Sequence, residues 1–258
     1  MKQRKLRLSG LITIGALLLS SQFIRSADAF GKSRDPSQKP RLIIVFVDMS
    51  DSSSEARRTV CKEAFEKIYQ NLRQGDRVVV GTITSHSYIE FKPTVDVEIP
   101  KKSIWDNRLQ FEKKMANTLE KIRGETNMLL SRERGTMLTE ILDSLNIAHI
   151  VFSDEKERQK ILVLLSDMIE DSTGYNFEKD KISDEYIDKV IRDRQKSKLI
   201  PNFTGVKVYV AGASAADSNK FREIQKFWTY YFAKTGADFS PNRYGHSLII
   251  FENGSSMK

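Results

Sequence analysis

The chain has 258 residues, of which 40% are hydrophobic and 29% are charged. This composition is that of an ordinary globular protein, and it excludes an intrinsically disordered or fibrous chain. The formal net charge is +8, but no dense basic run stands in the body of the chain, so the composition argues against a nucleic-acid-binding protein.

The first 29 residues have the features of an export signal. A basic stretch, KQRKLR, precedes an apolar run from Leu8 to Leu19, and the small residues Ala27 and Ala29 occupy the positions that a signal peptidase recognises. The run has 12 residues, whereas a membrane span needs about 20. We therefore expect residues 1–29 to be cleaved, which would lower the net charge to +4. The expected location is periplasmic or secreted, and the alternative is an uncleaved N-terminal membrane anchor.

A linker and then a strand and a helix are predicted next. Residues 30–40, FGKSRDPSQKP, are rich in glycine, serine, proline and charged residues and predict a linker. The domain is expected over residues 41–258, and its first segment, RLIIVFVD, is typical of a strand that is buried on both faces. The following segment predicts a helix, because apolar residues recur every four positions. The single Cys61 adjoins this stripe, cannot form an internal disulfide, and is expected to pack in the core.

Strand and helix patterns continue to alternate along the rest of the chain. DRVVVGTIT predicts a second strand and YIEFKPTVDVEIP a third, in which Pro93 favours an edge or bulged position. Helices are predicted from about Asp106 to Glu125 and from Gly135 onward. KILVLLSD, GVKVYVAGA and HSLIIFE predict three more strands. A polar helical insertion at about 171–204 follows the first of them, and an aromatic-rich helix follows the second.

This alternation predicts an α/β fold of three layers. We expect a doubly wound, mainly parallel sheet with helices on both faces and one antiparallel edge strand.

Oxygen-bearing side chains cluster at the predicted carboxyl ends of the strands, where ligands bind in such sheets. The first strand ends in Asp48, with Ser50 and Ser52 directly after it. KILVLLSD ends in Asp167, and Thr136 opens the helix between these two segments. The set contains no histidine or cysteine, so it suits Mg²⁺ or Mn²⁺ better than zinc.

These three pieces together resemble the metal-ion-dependent adhesion site of von Willebrand factor A domains. The resemblance covers roughly residues 41–252 and includes the stretches GDRVVVGTIT, ILVLLSD and GVKVYVAG. It implies that the hydroxyls of Ser50, Ser52 and Thr136 bind the ion directly, and that Asp48 and Asp167 hold it mainly through water. It also implies that an acidic residue of a partner protein completes the coordination.

Two positions depart from the family pattern. Asp51 stands where the family commonly has glycine, and Met168 follows Asp167 where glycine is frequent. The Asp51 carboxylate either fills the open coordination position and weakens partner binding or faces solvent, and the sequence leaves both interpretations open. Ser52 and Thr136 could also be ordinary helix N-caps, although capping explains neither Asp48 nor Asp167.

We expect a non-enzymatic protein-interaction domain, and two other functions compete with it. One is a scaffold whose metal site has lapsed and whose partners use other surfaces. The other is a Mg²⁺-dependent phosphatase of the haloacid dehalogenase type, in which a strand-end aspartate is the nucleophile and a second aspartate two residues later is the acid/base. That second position is Ser50 in this chain, which argues against the enzyme.

Overall fold

The computed structural model describes residues 38–50, 55–85, 91–132, 135, 138–248 and 250–251. The predicted signal and most of the predicted linker lie outside these ranges. The strands are β1 (Arg41–Asp48), β2 (Arg77–Ile83), β3 (Val95–Glu98), β4 (Gln159–Leu165), β5 (Val206–Ala211) and β6 (Tyr244–Gly245). The helices are α1 (Glu55–Gln70), α2 (Arg108–Ser131), α3 (Ile141–Ser153), α4 (Asp184–Lys196) and α5 (Ser218–Thr235), followed by a short 3-10 helix, Pro241–Arg243.

The strands form one six-stranded sheet in the order β3-β2-β1-β4-β5-β6. Every neighbouring pair is parallel except β2 and β3, which are antiparallel. Pro93 lies just before β3, at the edge of the sheet, where a missing backbone N–H is tolerated. The predicted α/β fold with one antiparallel edge strand is therefore confirmed.

Strand β1 lies at the centre of the sheet and fixes where its loops meet. It pairs in parallel with both β2 and β4, with Asp48 opposite Ile83 and Val47 opposite Leu165. The residues that follow β1, β2, β4 and β5 therefore emerge at the same side, which we call the carboxyl edge. The opposite side, where these strands begin, is the amino edge.

Different helices cover the two faces of the sheet, because alternate strand residues point to opposite faces. The even-numbered β1 residues from Leu42 to Phe46 share a core cluster with α3, α4 and α5. The odd-numbered residues from Ile43 to Val47 are also fully buried, so the remaining helices, α1 and α2, cover the second face. Cys61 is buried on α1, as expected. Among the helices described, none is long and apolar enough to cross a membrane.

Helix α3 begins six residues later than the sequence predicts. Thr139 and Asp171 exchange two backbone hydrogen bonds, of 2.7 and 3.1 Å, and such pairing requires an extended backbone. The helix therefore starts at Ile141 and not at Gly135. The predicted insertion is likewise less helical than its composition indicates, since only Asp184–Lys196 forms a helix there.

The last strand is also displaced from its predicted position. The pattern HSLIIFE predicts a strand over 246–252, but among the described residues the pairing with β5 involves only Tyr244 and Gly245. Beyond them, the carbonyl of His246 accepts from the N–H of Gly212 at 2.9 Å, and the carbonyl of Leu248 accepts a 2.6 Å hydrogen bond from the Lys67 ammonium of α1. Phe251 packs against Tyr209, with ring centroids 5.2 Å apart.

A fully buried ion pair stabilises the amino edge. The Arg41 guanidinium contacts the Asp76 carboxylate through Nε at 3.1 Å and Nη2 at 2.5 Å, and both side chains are 1% exposed. The backbone N–H groups of Arg41 and Arg73 each donate to the same carboxylate at 2.9 Å. The charge of each partner is therefore compensated where water cannot reach it.

Removing one member of this pair should strongly destabilise the fold. In Asp76→Ala the Arg41 guanidinium stays buried without its counter-charge, and we expect the free energy of unfolding to fall by about 3–5 kcal/mol. Urea denaturation measures the loss. Asp96→Ala is the control, since it breaks the exposed 2.8 Å pair with Arg77 and should cost at most about 1 kcal/mol. Equal losses in the two variants would contradict this assignment.

Candidate functional site at the carboxyl edge

Asp48 ends β1 and directs its carboxylate into the carboxyl edge. The side chain is 1% exposed. Its Oδ1 accepts a 2.8 Å hydrogen bond from the backbone N–H of Ser50, and its Oδ2 accepts a 2.7 Å hydrogen bond from the hydroxyl of Ser166. Both donors are neutral, so they orient the carboxylate without cancelling its charge.

No basic side chain in the described ranges pairs with Asp48. A carboxylate taken out of water without a counter-charge carries a desolvation cost of several kcal/mol. Within the described residues, the Asp48 carboxylate at the end of the central strand therefore lacks a compensating charge. A cation at the site would supply one.

Asp167, the second predicted carboxylate, follows β4 at the same edge and has a cationic partner. It is 1% exposed, and its Oδ1 accepts a 2.9 Å hydrogen bond from the N–H of Ile169. Its Oδ2 lies 2.6 Å from Nη1 of Arg57, in the first turn of α1. The second terminal nitrogen of this guanidinium, Nη2, donates to the hydroxyl of Ser214 at 3.2 Å. Arg57 therefore joins α1 to the loops that follow β4 and β5.

The loop after β5 approaches this site closely because of Gly212. Its φ is +96°, and a Cβ there would lie 3.1 Å from the carbonyl oxygen of Ser166. Glycine is therefore required by both the backbone conformation and the space. Two residues later, the N–H of Ser214 donates to the carbonyl of Asp167 at 3.3 Å.

Three of the five predicted metal ligands lie within the described residues, and the structure brings them to one edge. Asp48, Ser50 and Asp167 are buried there. Ser52 and Thr136 lie outside the described residues, as does Asp51, so their placement stays a prediction. No group of three or more His, Cys, Asp or Glu side chains that could hold a metal occurs in the described ranges. The predicted set has only two carboxylates and its other members are hydroxyls, so it would not form such a group.

The segment that leads into α3 is fixed to this edge by its backbone. Besides the pairing of Thr139 with Asp171, the N–H of Glu140 donates to the carbonyl of Thr84, directly after β2, at 3.3 Å. The start of α3 is thus held between the loops that follow β2 and β4.

The buried carboxyl group of Glu170 caps α3. The side chain of the N-cap residue Glu140 does not cap the helix; instead, Oε2 of Glu170 accepts from the N–H of Leu142 at 2.9 Å. Burial raises the pKa of Glu170 to about 8, and hydrogen bonds from Leu142 and Ser172 oppose the shift only partly. The loop after β4 therefore carries a carboxyl group that remains protonated at neutral pH.

Met168 follows Asp167 in a backbone conformation that favours glycine. Its φ is +68°, in the left-handed region, which costs a residue with a Cβ about 1–2 kcal/mol. The side chain is fully buried, the N–H donates to the hydroxyl of Ser166 at 2.9 Å, and the carbonyl accepts from the Trp228 indole at 2.8 Å. These contacts hold the strained residue in place.

Three residues of the site carried no role in the sequence analysis. Ser166 orients Asp48, while Arg57 and Ser214 surround Asp167. The sequence did contain one signal for Ser166, which directly precedes Asp167 at the end of a predicted strand. No local sequence feature indicated a role for Arg57, because its partner, Asp167, lies 110 residues further along the chain.

No family model matches the chain, and no curated protein matches it. Among solved structures, it is similar to the pilus adhesin SpaC from Lactobacillus rhamnosus GG, with 16% identity over 83% of this chain and 29% of the adhesin, at a TM-score of 0.47. It is similar to a von Willebrand factor type A protein from Catenulispora acidiphila, with 13% identity over 77% of this chain and 42% of that one, at a TM-score of 0.37.

A third similar structure is BatB from Bacteroides thetaiotaomicron, with 11% identity over 73% of this chain and 87% of that protein, at a TM-score of 0.36. The chain thus spans less than half the length of the first two proteins. At these identities and TM-scores the likenesses carry no argument about what this chain binds.

The conformation of Met168 can be tested with two truncations. Met168→Ala and Met168→Gly both remove the buried side chain, so both should lose stability. Glycine normally destabilises by about 1 kcal/mol relative to alanine, but a positive φ reverses this preference, so Met168→Gly should be at least as stable as Met168→Ala in urea denaturation. Met115, buried within α2, provides the control pair, in which glycine should be the worse residue. A normal alanine advantage at position 168 would refute the left-handed assignment.

The buried Glu170 predicts a pH dependence of stability. The unfolded chain releases this proton near the ordinary pKa of 4.5, whereas the folded chain keeps it until about pH 8. The stabilisation is therefore complete below pH 4.5 and is lost as the pH rises to about 8, by about 3–5 kcal/mol in all. Glu170→Gln should remove this component from urea denaturation curves measured across that range. Glu157→Gln, at an exposed position, should keep it, and an unchanged slope in Glu170→Gln would contradict the prediction.

Proposed function

We propose that this chain is an exported, non-enzymatic protein-interaction domain of the von Willebrand factor A type. It binds Mg²⁺ or Mn²⁺ through Asp48, Ser50, Ser52, Thr136 and Asp167, and it binds an acidic group of a partner protein through the ion. The observation that carries this proposal is the buried Asp48 carboxylate, which has no basic partner in the part of the chain that the structure describes.

The charges around the site support a cation. Asp48 and Asp167 contribute two buried carboxylates, and Arg57 contributes one guanidinium. One negative charge among these three groups is left over in surroundings of low dielectric constant, where compensation matters most. The predicted donors are all oxygens, which hard divalent cations prefer.

The choice of ligands also explains why a partner would be acidic. Neutral hydroxyls around the ion cancel none of its charge, and Arg57 offsets one of the two aspartates, so these three side chains balance only part of a divalent charge. A carboxylate from another molecule would then find a net positive centre at the carboxyl edge of the sheet. This chain's own contribution is to hold its oxygens in position before the partner arrives.

A lapsed metal site is the second candidate, and the contact between Arg57 and Asp167 favours it. The guanidinium lies 2.6 Å from the carboxylate and is only 12% exposed, so it already supplies positive charge where the ion would act. In the proposed function, Arg57 competes with the ion for Asp167. In the scaffold hypothesis, Arg57 replaces the ion permanently.

Thermal unfolding with added Mg²⁺ or Mn²⁺ tests the proposal. At a hundredfold excess over Kd, we expect the melting temperature to rise by about 5–10 °C. Asp48→Asn should abolish this response while raising the melting temperature of the metal-free protein, because it removes an uncompensated buried charge. Asp96→Asn, on β3, should respond as the natural chain does.

Other outcomes identify the competing functions. The scaffold with a lapsed metal site would be established if neither metal changes the melting temperature of the natural chain while both raise that of an Arg57→Gln variant. Turnover of a generic phosphate ester that is lost in Asp48→Asn would establish a phosphatase. An Asp48→Asn variant with the full metal response would disprove the proposed ligand set.

A further inference from the structure

An exposed apolar loop projects from the amino edge. Every residue from Lys101 to Gln110, between β3 and the first turn of α2, is exposed. Three of them are large apolar residues: Ile104 is 90% exposed, Trp105 89% and Leu109 75%. Leaving three such side chains in water at one place is unfavourable for an isolated protein, so the loop has the character of a contact surface.

The loop is also basic. Five Lys or Arg residues and two acidic residues lie between Lys101 and Lys114. Both acidic side chains are engaged locally, since Asp106 accepts from the N–H of Ser103 at 2.6 Å and Glu112 pairs with Arg108 at 2.8 Å. The surface around the apolar residues therefore favours an anionic partner.

The loop lies at the amino edge, where β1 and β2 begin. β3 runs antiparallel to β2, so it ends at the amino edge, where Glu98 is opposite Arg77. The side chain of Gln74 accepts from the N–H of Lys102 at 3.2 Å, and the neighbouring Arg73 donates to the side chain of Gln38. Gln38, at the start of the described chain, therefore lies next to this loop.

We propose that the loop Lys101–Gln110 is a membrane-surface contact. Ile104 and Trp105 enter the interfacial region of the bilayer, where exposed tryptophan is favoured. The flanking lysines contact the phosphates of anionic lipids. A lipid surface matches this combination of an apolar tip and a basic surround. A second copy of the chain is the alternative that the test distinguishes.

This contact would orient the whole domain. The loop is at the amino edge, whereas Asp48 and Asp167 are at the carboxyl edge. A domain resting on a bilayer through Trp105 would present the candidate metal site away from the membrane. The inference does not depend on metal binding, and either can fail alone.

Tryptophan fluorescence of the full chain tests the contact directly. The chain has two tryptophans, and Trp228 is fully buried and hydrogen-bonded to the carbonyl of Met168. We expect vesicles of phosphatidylcholine and phosphatidylglycerol to shift the emission of Trp105 to the blue, and acyl-chain-brominated lipid to quench it. Trp105→Phe should lose both effects. Because the full chain retains residues 1–37, vesicle binding without further evidence does not support the proposal. Quenching of Trp105 does support it.

Variants of the loop separate its apolar and charged contributions. Lys101→Ala combined with Lys102→Ala should lower the ratio of quenched to unquenched Trp105 about 30-fold, because each lysine near an anionic surface contributes about fivefold. Ile104→Ser should also weaken quenching. Met128→Ser is the matched control, since Met128 is 70% exposed on α2, about 28 Å from Leu109 along the helix, and it should leave quenching unchanged.

Two results would overturn the proposal. In the first, the chain sediments with brominated vesicles while Trp105 stays unquenched, which would assign membrane binding to residues 1–37 alone. In the second, the emission of Trp105 shifts with protein concentration in the absence of lipid, which would assign the loop to a contact between two copies of the chain.

Discussion

The parallel pairing of β1 with both β2 and β4 is the constraint on which the rest of the structure depends. A strand buried on both faces can place polar side chains only at its ends, and parallel neighbours place their ends at the same edge. The register sets Val47 opposite Leu165, so Asp48 contacts Ser166 directly beyond the last apolar pair, and Asp167 follows at the same edge. A candidate site follows from this register alone.

The two edges of the sheet differ in how their buried carboxylates are compensated. At the amino edge, Asp76 is paired with Arg41 and receives two backbone hydrogen bonds. At the carboxyl edge, the donors to Asp48 that the described residues supply are both neutral. The ion pair at the amino edge needs no ligand to compensate its charges. The Asp48 carboxylate at the carboxyl edge has no basic partner among the described residues, and such exceptions to the rules of stability are concentrated where proteins bind their ligands.

Hydrophobic periodicity was sufficient to predict most of the fold. The apolar runs that became β1 and β4 and the antiparallel edge strand were all expected from local pattern and from Pro93, because burial imposes a period that is visible in the sequence. The start of α3 and the last strand were misplaced. The backbone of Thr139 pairs with the distant Asp171, and this pairing delays the start of α3. Periodicity does not reveal such a partner.

The sequence by itself determined the chemistry of the candidate site: oxygen donors, no histidine or cysteine, and positions at strand ends. It also marked Met168 as unusual where glycine is frequent. Only the tertiary structure decided that Arg57 holds Asp167, that Ser166 orients Asp48, and that Met168 adopts a left-handed backbone. Residue types and strand ends are local properties, whereas the partner of a charge is chosen by packing between segments more than 100 residues apart.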